Sequence, residues 1–272
     1  MSALAALFLF PPESRAGAGE AQVFTKYAIA IAGVPIGNAR VDSRFDGNRF
    51  EISANGRTSG VSRLVSDGKG TLSSVGELRD GKVYATAFDM DTVDAEFVTK
   101  VRMSMTNGAI QNLVALPPLS KRADRIPVET EHRRNIIDPL AAFLVPLDDD
   151  GRIEPEKACD RTIQVFDGWQ RFDVKLSYKS QRNARFGGRD GFSGPVVVCA
   201  ARYTPIAGHR PTRPTTVYLQ NNKSMELWLA AVPGLPVLVP VHIRIGTKIG
   251  PLTLSADVFS VTMGSTAAAK AQ

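Results

Sequence analysis

The chain has 272 residues, 43% hydrophobic and 22% charged, ordinary values for a globular protein long enough to bury a sizeable core. Its 33 Lys and Arg against 27 Asp and Glu leave a net charge of +6, spread along the chain rather than gathered in a stripe with interleaved aromatics, which argues against nucleic-acid binding. No apolar run reaches the roughly 18 residues that a membrane-spanning helix requires.

The first segment sets the expected compartment. "ALAALFLF" is a short apolar core, and Ala16-Gly17-Ala18 after it satisfies the small-x-small rule of signal peptidase. Residues 1–18 are therefore predicted to be a secretory signal peptide whose basic leading part is missing, as a start assigned too far downstream would leave it. The mature protein is expected to be exported. No Cys follows the apolar core, so nothing supports a lipoprotein anchor.

Strand signals then follow one another. "YAIAIAG" (27–33) and "IGNARVDSRF" (36–45) flank a turn, and "RFEISANG" (49–56) follows Asp46-Gly47-Asn48. "KVYATAFDM" (82–90) follows Asp80-Gly81, and "TKVRMSMTNG" (99–108) alternates Val101, Met103 and Met105 with Arg102, Ser104 and Thr106. Alternation of period two bounded by Asp-Gly and Asn-Gly is the hairpin signature. "TIQVFDGWQRFDVKLSYKS" (162–180) reads as a hairpin turning at Asp167-Gly168, and strands at 195–206, 224–232, 238–250 and 252–263 complete the set.

Helical signals are few. "TSGVSRLVSDG" (58–68) has Val61, Leu64 and Val65 on one face and Gly68 as a stop. "DPLAAFLVPL" (138–147) offers Asp138 as N-cap, Pro139 at the first helical position, and Leu140, Phe143 and Leu144 on one side. It is apolar almost all round, so it is predicted to be a short buried helix. The proline-rich stretch 114–135 reads as an irregular loop, and residues 264–272 as a disordered tail. The fold class expected is mainly β: one curved antiparallel sheet or open barrel of ten or more strands wrapped around that helix, as a single domain over residues 24–263.

Motifs of known chemistry fail on inspection. "PLDDDGRIEPEK" (146–157) has the middle of a calcium loop, but Pro146 and Lys157 stand where carboxylates are required. "GFSG" (191–194) is not a nucleophile elbow, and "SDGKGTLSS" (66–74) lacks the glycine and Lys-Ser/Thr pair of a phosphate cradle. The three histidines are scattered, and no metal or cofactor is expected. Two cysteines in an exported chain most simply form one disulfide, Cys159 to Cys199; two buried free thiols are the alternative.

Two candidate surfaces remain. Arg182, Arg185 and Arg189 cluster in "KSQRNARFGGRD" (179–190), and His209 and Arg210 in the loop "GHRPTRPTT" (208–216); both are candidates to touch an anionic surface, or are solvated loops. Val101, Met103, Met105, Leu140 and Phe143 are candidates to line an apolar ligand site on the concave face of the sheet.

The opening "YAIAIAGVPIGNARV", the central "DPLAAFLVPL", "CDRTIQVFDGWQRFDVKL", "VVCAARYTPIAGH" and the closing "ELWLAA…LVPVHIRIGTKIGPLTLSA" together resemble the exported proteobacterial family known as domain of unknown function 3108, over roughly residues 24–262. The resemblance implies a periplasmic β-rich protein with a sheet curved around a helix, similar in outline to lipoprotein-carrier folds, and it implies no catalytic residues. The function expected is a non-catalytic envelope protein that binds a hydrophobic or amphipathic ligand, a lipid for instance, or a partner on the curved sheet. The alternative is a hydrolase acting on an envelope polymer, which convergence of Asp138, Asp167 and His209 on one pocket would favour.

Overall fold

The computed structural model describes residues 20–58, 68–95, 97–148 and 151–264. The expected signal peptide, the body of the expected 58–68 helix and the tail from 265 onward lie outside the described residues. Fourteen strands form one antiparallel sheet. In chain order they are β1 Ala21–Ile31, β2 Val34–Asp46, β3 Arg49–Thr58, β4 Lys69–Arg79, β5 Lys82–Asp94, β6 Phe97–Thr106, β7 Ala109–Leu116, β8 Val145–Pro146, β9 Arg161–Phe166, β10 Arg171–Arg185, β11 Ser193–Ala207, β12 Met225–Ala231, β13 Val237–Thr247 and β14 Gly250–Met263. Two short helices, α1 Pro155–Cys159 and α2 Pro214–Asn221, complete the described elements together with two single 3-10 turns.

The spatial order β7-β6-β5-β4-β3-β2-β1-β14-β13-β12-β11-β10-β9 makes the sheet a meander closed on itself in sequence: each half runs outward from the β1–β14 pair. The turns follow from local chemistry. Asp80-Gly81 and Asn107-Gly108 both have positive φ at the two central residues, the backbone that the right-handed twist of a two-residue hairpin requires. The two halves differ in burial. In β3 only alternate residues such as Phe50 and Ile52 are covered, whereas Val196–Cys199 in β11 and Val237–Ile243 in β13 are buried without a break. Those continuous apolar runs mark strands covered on both faces.

The two edges, β7 and β9, do not pair with each other. The connection between them stitches the seam. Ile137 bridges Val165 in parallel, its N–H donating to the Gln164 carbonyl at 2.8 Å and its carbonyl accepting from Phe166 at 3.0 Å. The Ile136 N–H reaches the Gly108 carbonyl at 3.0 Å, and the Trp169 Nε1 donates to Pro117 at 2.9 Å. The sheet is thus curled into an open barrel.

The interior is not filled by a helix. "DPLAAFLVPL" forms one 3-10 turn, Ala141–Phe143, then extends from Leu144 into β8, which pairs with β13. The reason is local: Pro146 has no N–H to give a helix and pushes Val145 into the extended region. The burial expected of the segment is nevertheless present, with Leu140, Ala141, Leu144 and Val145 all 3% exposed or less, while Phe143 is half-buried. Two strands lack a clear sequence signal. β4, "KGTLSSVGELR", is rich in Ser and Gly, and β7, "AIQNLVAL", is short and uncharged. The loop expected over 208–216 also differs, because Pro214 opens α2.

Candidate functional site

The cysteines are joined. Cys159, the last residue of α1, is bonded to Cys199 in β11, with Cα atoms 5.5 Å apart and both side chains fully buried. The bond pins α1 against one face of β10 and β11, where Leu176, Val197 and Leu238 pack around it.

Next to this staple, where the two edges of the sheet approach, lies a cleft of about 640 Å³. Its apolar wall comes from Val83 of β5, Ile136 and Ile137 of the stitching segment, Leu144, Pro146, and Ile163 of β9. Its polar groups are Lys82, Tyr84, Lys157, Asp160 and Arg161. Arg79 lies over the Tyr84 ring at 4.5 Å and donates to Asn107 at 3.3 Å, which orders the β5 side of the opening. Lys157 is paired with Asp148. The Nε of Arg161 is buried and has no hydrogen-bond partner. Burial draws the Arg161 pKa down, and the Asp148 charge nearby opposes that. An orphaned buried donor costs roughly 1–3 kcal/mol, so an acceptor brought by a ligand has something to gain there.

The residues singled out from sequence fall elsewhere. Val101, Met103, Met105 and Leu140 pack in the main core at 3% exposure or less, with Phe143 against its margin; none of them lines this cleft. Arg182 and Arg185 belong to β10 rather than to a loop. Arg182 lies over the Trp228 ring at 4.9 Å, and Lys179 is paired with Glu226. The hairpin tip beyond them, residues 187–190, is exposed, but its flanks are packed: Phe192 is buried, and Phe186 stacks on His242 with ring centres 4.7 Å apart and planes 4° from parallel. Arg185 and Arg189 are exposed.

His209 and Arg210 form no free basic surface. His209 is 8% exposed, its Nδ1 has no partner, and burial pulls its pKa down, with the Ala207 backbone opposing. The Arg210 Nε lies 2.9 Å from both oxygens of Asp124, holding that carboxyl below its ordinary pKa. The proline-rich segment has folded back over this corner, with Ile126 donating to the His209 carbonyl.

No hydrogen bond among the described residues joins any two of Asp138, Asp167 and His209. Asp138 accepts from the Leu140 and Ala141 N–H groups at 2.8 Å and from Ser74 at 2.7 Å. Asp167 accepts from the N–H groups of Trp169 and Gln170. Both carboxylates serve turns. Among the described residues no group of His, Cys, Asp and Glu side chains is placed to hold a metal ion. The Arg161 cleft carried no sequence signal, because it is assembled from segments between Gly81 and Gln164 that only the curl brings together.

Curl, seam and staple define a class: a barrel-like antiparallel β protein with a disulfide that ties α1 to β11. The chain belongs to the family described as "Protein of unknown function (DUF3108)", which matches residues 26–257. It is similar in fold to a crystal structure described as a beta-barrel-like protein of domain of unknown function DUF1849 from Brucella abortus, at 7% identity and a TM-score of 0.50, covering 92% of this chain and 99% of that one. No curated protein matches the sequence.

Proposed function

We propose that this chain is a non-catalytic protein of the periplasm that binds an anionic amphiphile in the seam cleft. The observation that carries the reading is the pairing of an apolar wall with Arg161, whose buried Nε lacks an acceptor. A carboxylate or phosphate head supplies that acceptor, and a hydrocarbon portion covers Ile136, Ile137 and Ile163. The volume of about 640 Å³ suits one small amphiphile rather than a polymer strand. Export is supported by the buried disulfide and by the signal-peptide pattern at residues 3–18.

The test is native mass spectrometry of protein purified from periplasm, followed by lipid extraction. A co-purifying anionic amphiphile that is lost from an Arg161→Met variant of unchanged thermal stability is the expected result. Protein that carries nothing, or an Arg161→Met variant that retains the same load, overturns the assignment.

A further inference from the structure

The two rims of the curled sheet differ in chemistry. Antiparallel order brings the β1–β2, β5–β6 and β13–β14 turns to the same end of the strands. At that end Phe97 is 80% exposed, Ile249 74%, Val34 50% and Val98 49%. The β1–β2 and β13–β14 turns touch, the Ala32 N–H donating to the Pro251 carbonyl at 2.9 Å. Single exposed apolar residues are common on any surface; here four large ones stand on turn tips and strand ends of one rim.

Behind the tips, on the outward face, the register places Asn38, Arg57, Lys69, Val93 and Val98 in one cross-strand row, and Arg40, Asn55, Thr71, Asp91 and Lys100 in the next. Between these rows lies an open cleft of about 440 Å³ lined by Arg40, Arg57 and Lys69. None of these three has an ion-pair partner among the described residues. The single carboxylate of the lining, Asp91, is already engaged by Arg102 and Lys100. The opposite end of the same strands has the reverse balance: a cleft there is lined by Glu20, Asp46, Glu51 and Glu77 against Arg44 and Arg49. The two clefts therefore set a charge gradient along these strands, the positive cleft lying toward the end that exposes apolar tips.

From this gradient and these tips we infer that the rim carrying Val34, Phe97 and Ile249 docks on the surface of an anionic lipid bilayer. The tips enter the boundary between headgroups and acyl chains, and Arg40, Arg57 and Lys69 meet the phosphates, while the acidic end points away. Neither element suffices by itself: one shallow set of apolar contacts is weak, and a few cations are screened at physiological salt. Together they supply the two signals that stable surface binding needs, on a chain in which none of the described helices is long and apolar enough to cross a membrane. The rim lies away from the residues lining the seam cleft, so the two assignments stand or fall separately.

Flotation with vesicles of equal parts phosphatidylglycerol and phosphatidylcholine tests it, against vesicles of phosphatidylcholine alone. The expected result is binding to the anionic vesicles only, released at about 1 M salt, where charges are screened within about 3 Å. Replacing Arg57 and Lys69 by Ser should weaken binding about thirtyfold. Phe97→Ser with Ile249→Ser should weaken it about tenfold, and Arg161→Met should leave it unchanged. As these positions are exposed, a Phe97→Trp variant reports independently: its emission should move to shorter wavelength on anionic vesicles. Absence of flotation, flotation that the rim variants leave intact, or an unshifted Phe97→Trp emission overturns the proposal. So does lipid-free self-association that the same variants abolish, which would assign the rim to a second copy of the chain.

Discussion

The hydroxyl of Ser74 in β4 donates a 2.7 Å hydrogen bond to the fully buried carboxylate of Asp138, which sits in the segment that stitches the barrel seam. Burial pushes the Asp138 pKa up from 3.8 to about 6, although Ser74 and the Leu140 and Ala141 N–H groups favour the charged form. The raised folded-state value means that the native protein holds this proton more tightly than the unfolded chain. Its contribution to stability is fully present below pH 3.8 and is lost as pH rises through about 6. The change amounts to about 3 kcal/mol at most. Asp138→Asn keeps an oxygen for both N–H groups and cannot ionise. Urea unfolding from pH 4 to pH 7 should therefore show a falling stability in the parent and a flatter profile in the variant. Equal slopes would place the titrating group elsewhere.

The Cys159–Cys199 bond closes a loop of 40 residues in the unfolded chain. The chain-entropy relation gives about 4 kcal/mol for that length, and measured values tend to run lower. Cys159→Ala with Cys199→Ala should shift the denaturation midpoint down by an amount in this range, and adding reductant to that variant should do nothing more. A midpoint equal to that of the parent would show that α1 is held by packing alone.

Leu140 and Leu144 are 2% and 3% exposed in the main core, while Phe143 beside them is half-buried. Leu140→Ala and Leu144→Ala should each cost about 2–5 kcal/mol. Phe143→Ala should cost less, since part of its ring already meets water. Thermal unfolding of the three variants gives the order directly; the reverse order would contradict the placement of this segment.

Phe186 covers His242 with a parallel ring, and Trp228 meets both rings edge-on. Burial is the main cause of the lowered His242 pKa. Phe186→Ala should let water reach the imidazole and move its pKa up toward the ordinary value, as followed by the ring proton shifts in NMR titration. An unmoved titration would mean that Trp228 and the β13–β14 backbone do the shielding alone.

The strands were legible because period-two alternation and Asp-Gly or Asn-Gly turns act over a few residues. The exceptions are instructive. β4 is a central strand between β3 and β5, yet Leu72, Val75 and Leu78 are its only large apolar residues, and its buried Ser74 is explained by a partner 64 residues away. The buried segment 138–147 was recognisable from its composition and its cap, and Pro146 limits its coil locally, but the partner its extended end takes, Leu238 in β13, is set only by the fold. The fate of the charged candidates was equally non-local: Arg210 is neutralised by Asp124, and His209 is roofed by the returning proline-rich chain.

By itself, then, the sequence determined the antiparallel β class, the turns and the pair of cysteines available for a staple, since these depend on side-chain periodicity and backbone preference within short windows. Only the tertiary structure decided where the ends of the sheet meet and what lies between them. Ile137 pairs with Val165, the Nε of Arg161 is buried without an acceptor, and Phe97, Ile249 and Arg57 come to one rim. Those placements follow from the curl of thirteen paired strands, and no local pattern encodes a curl.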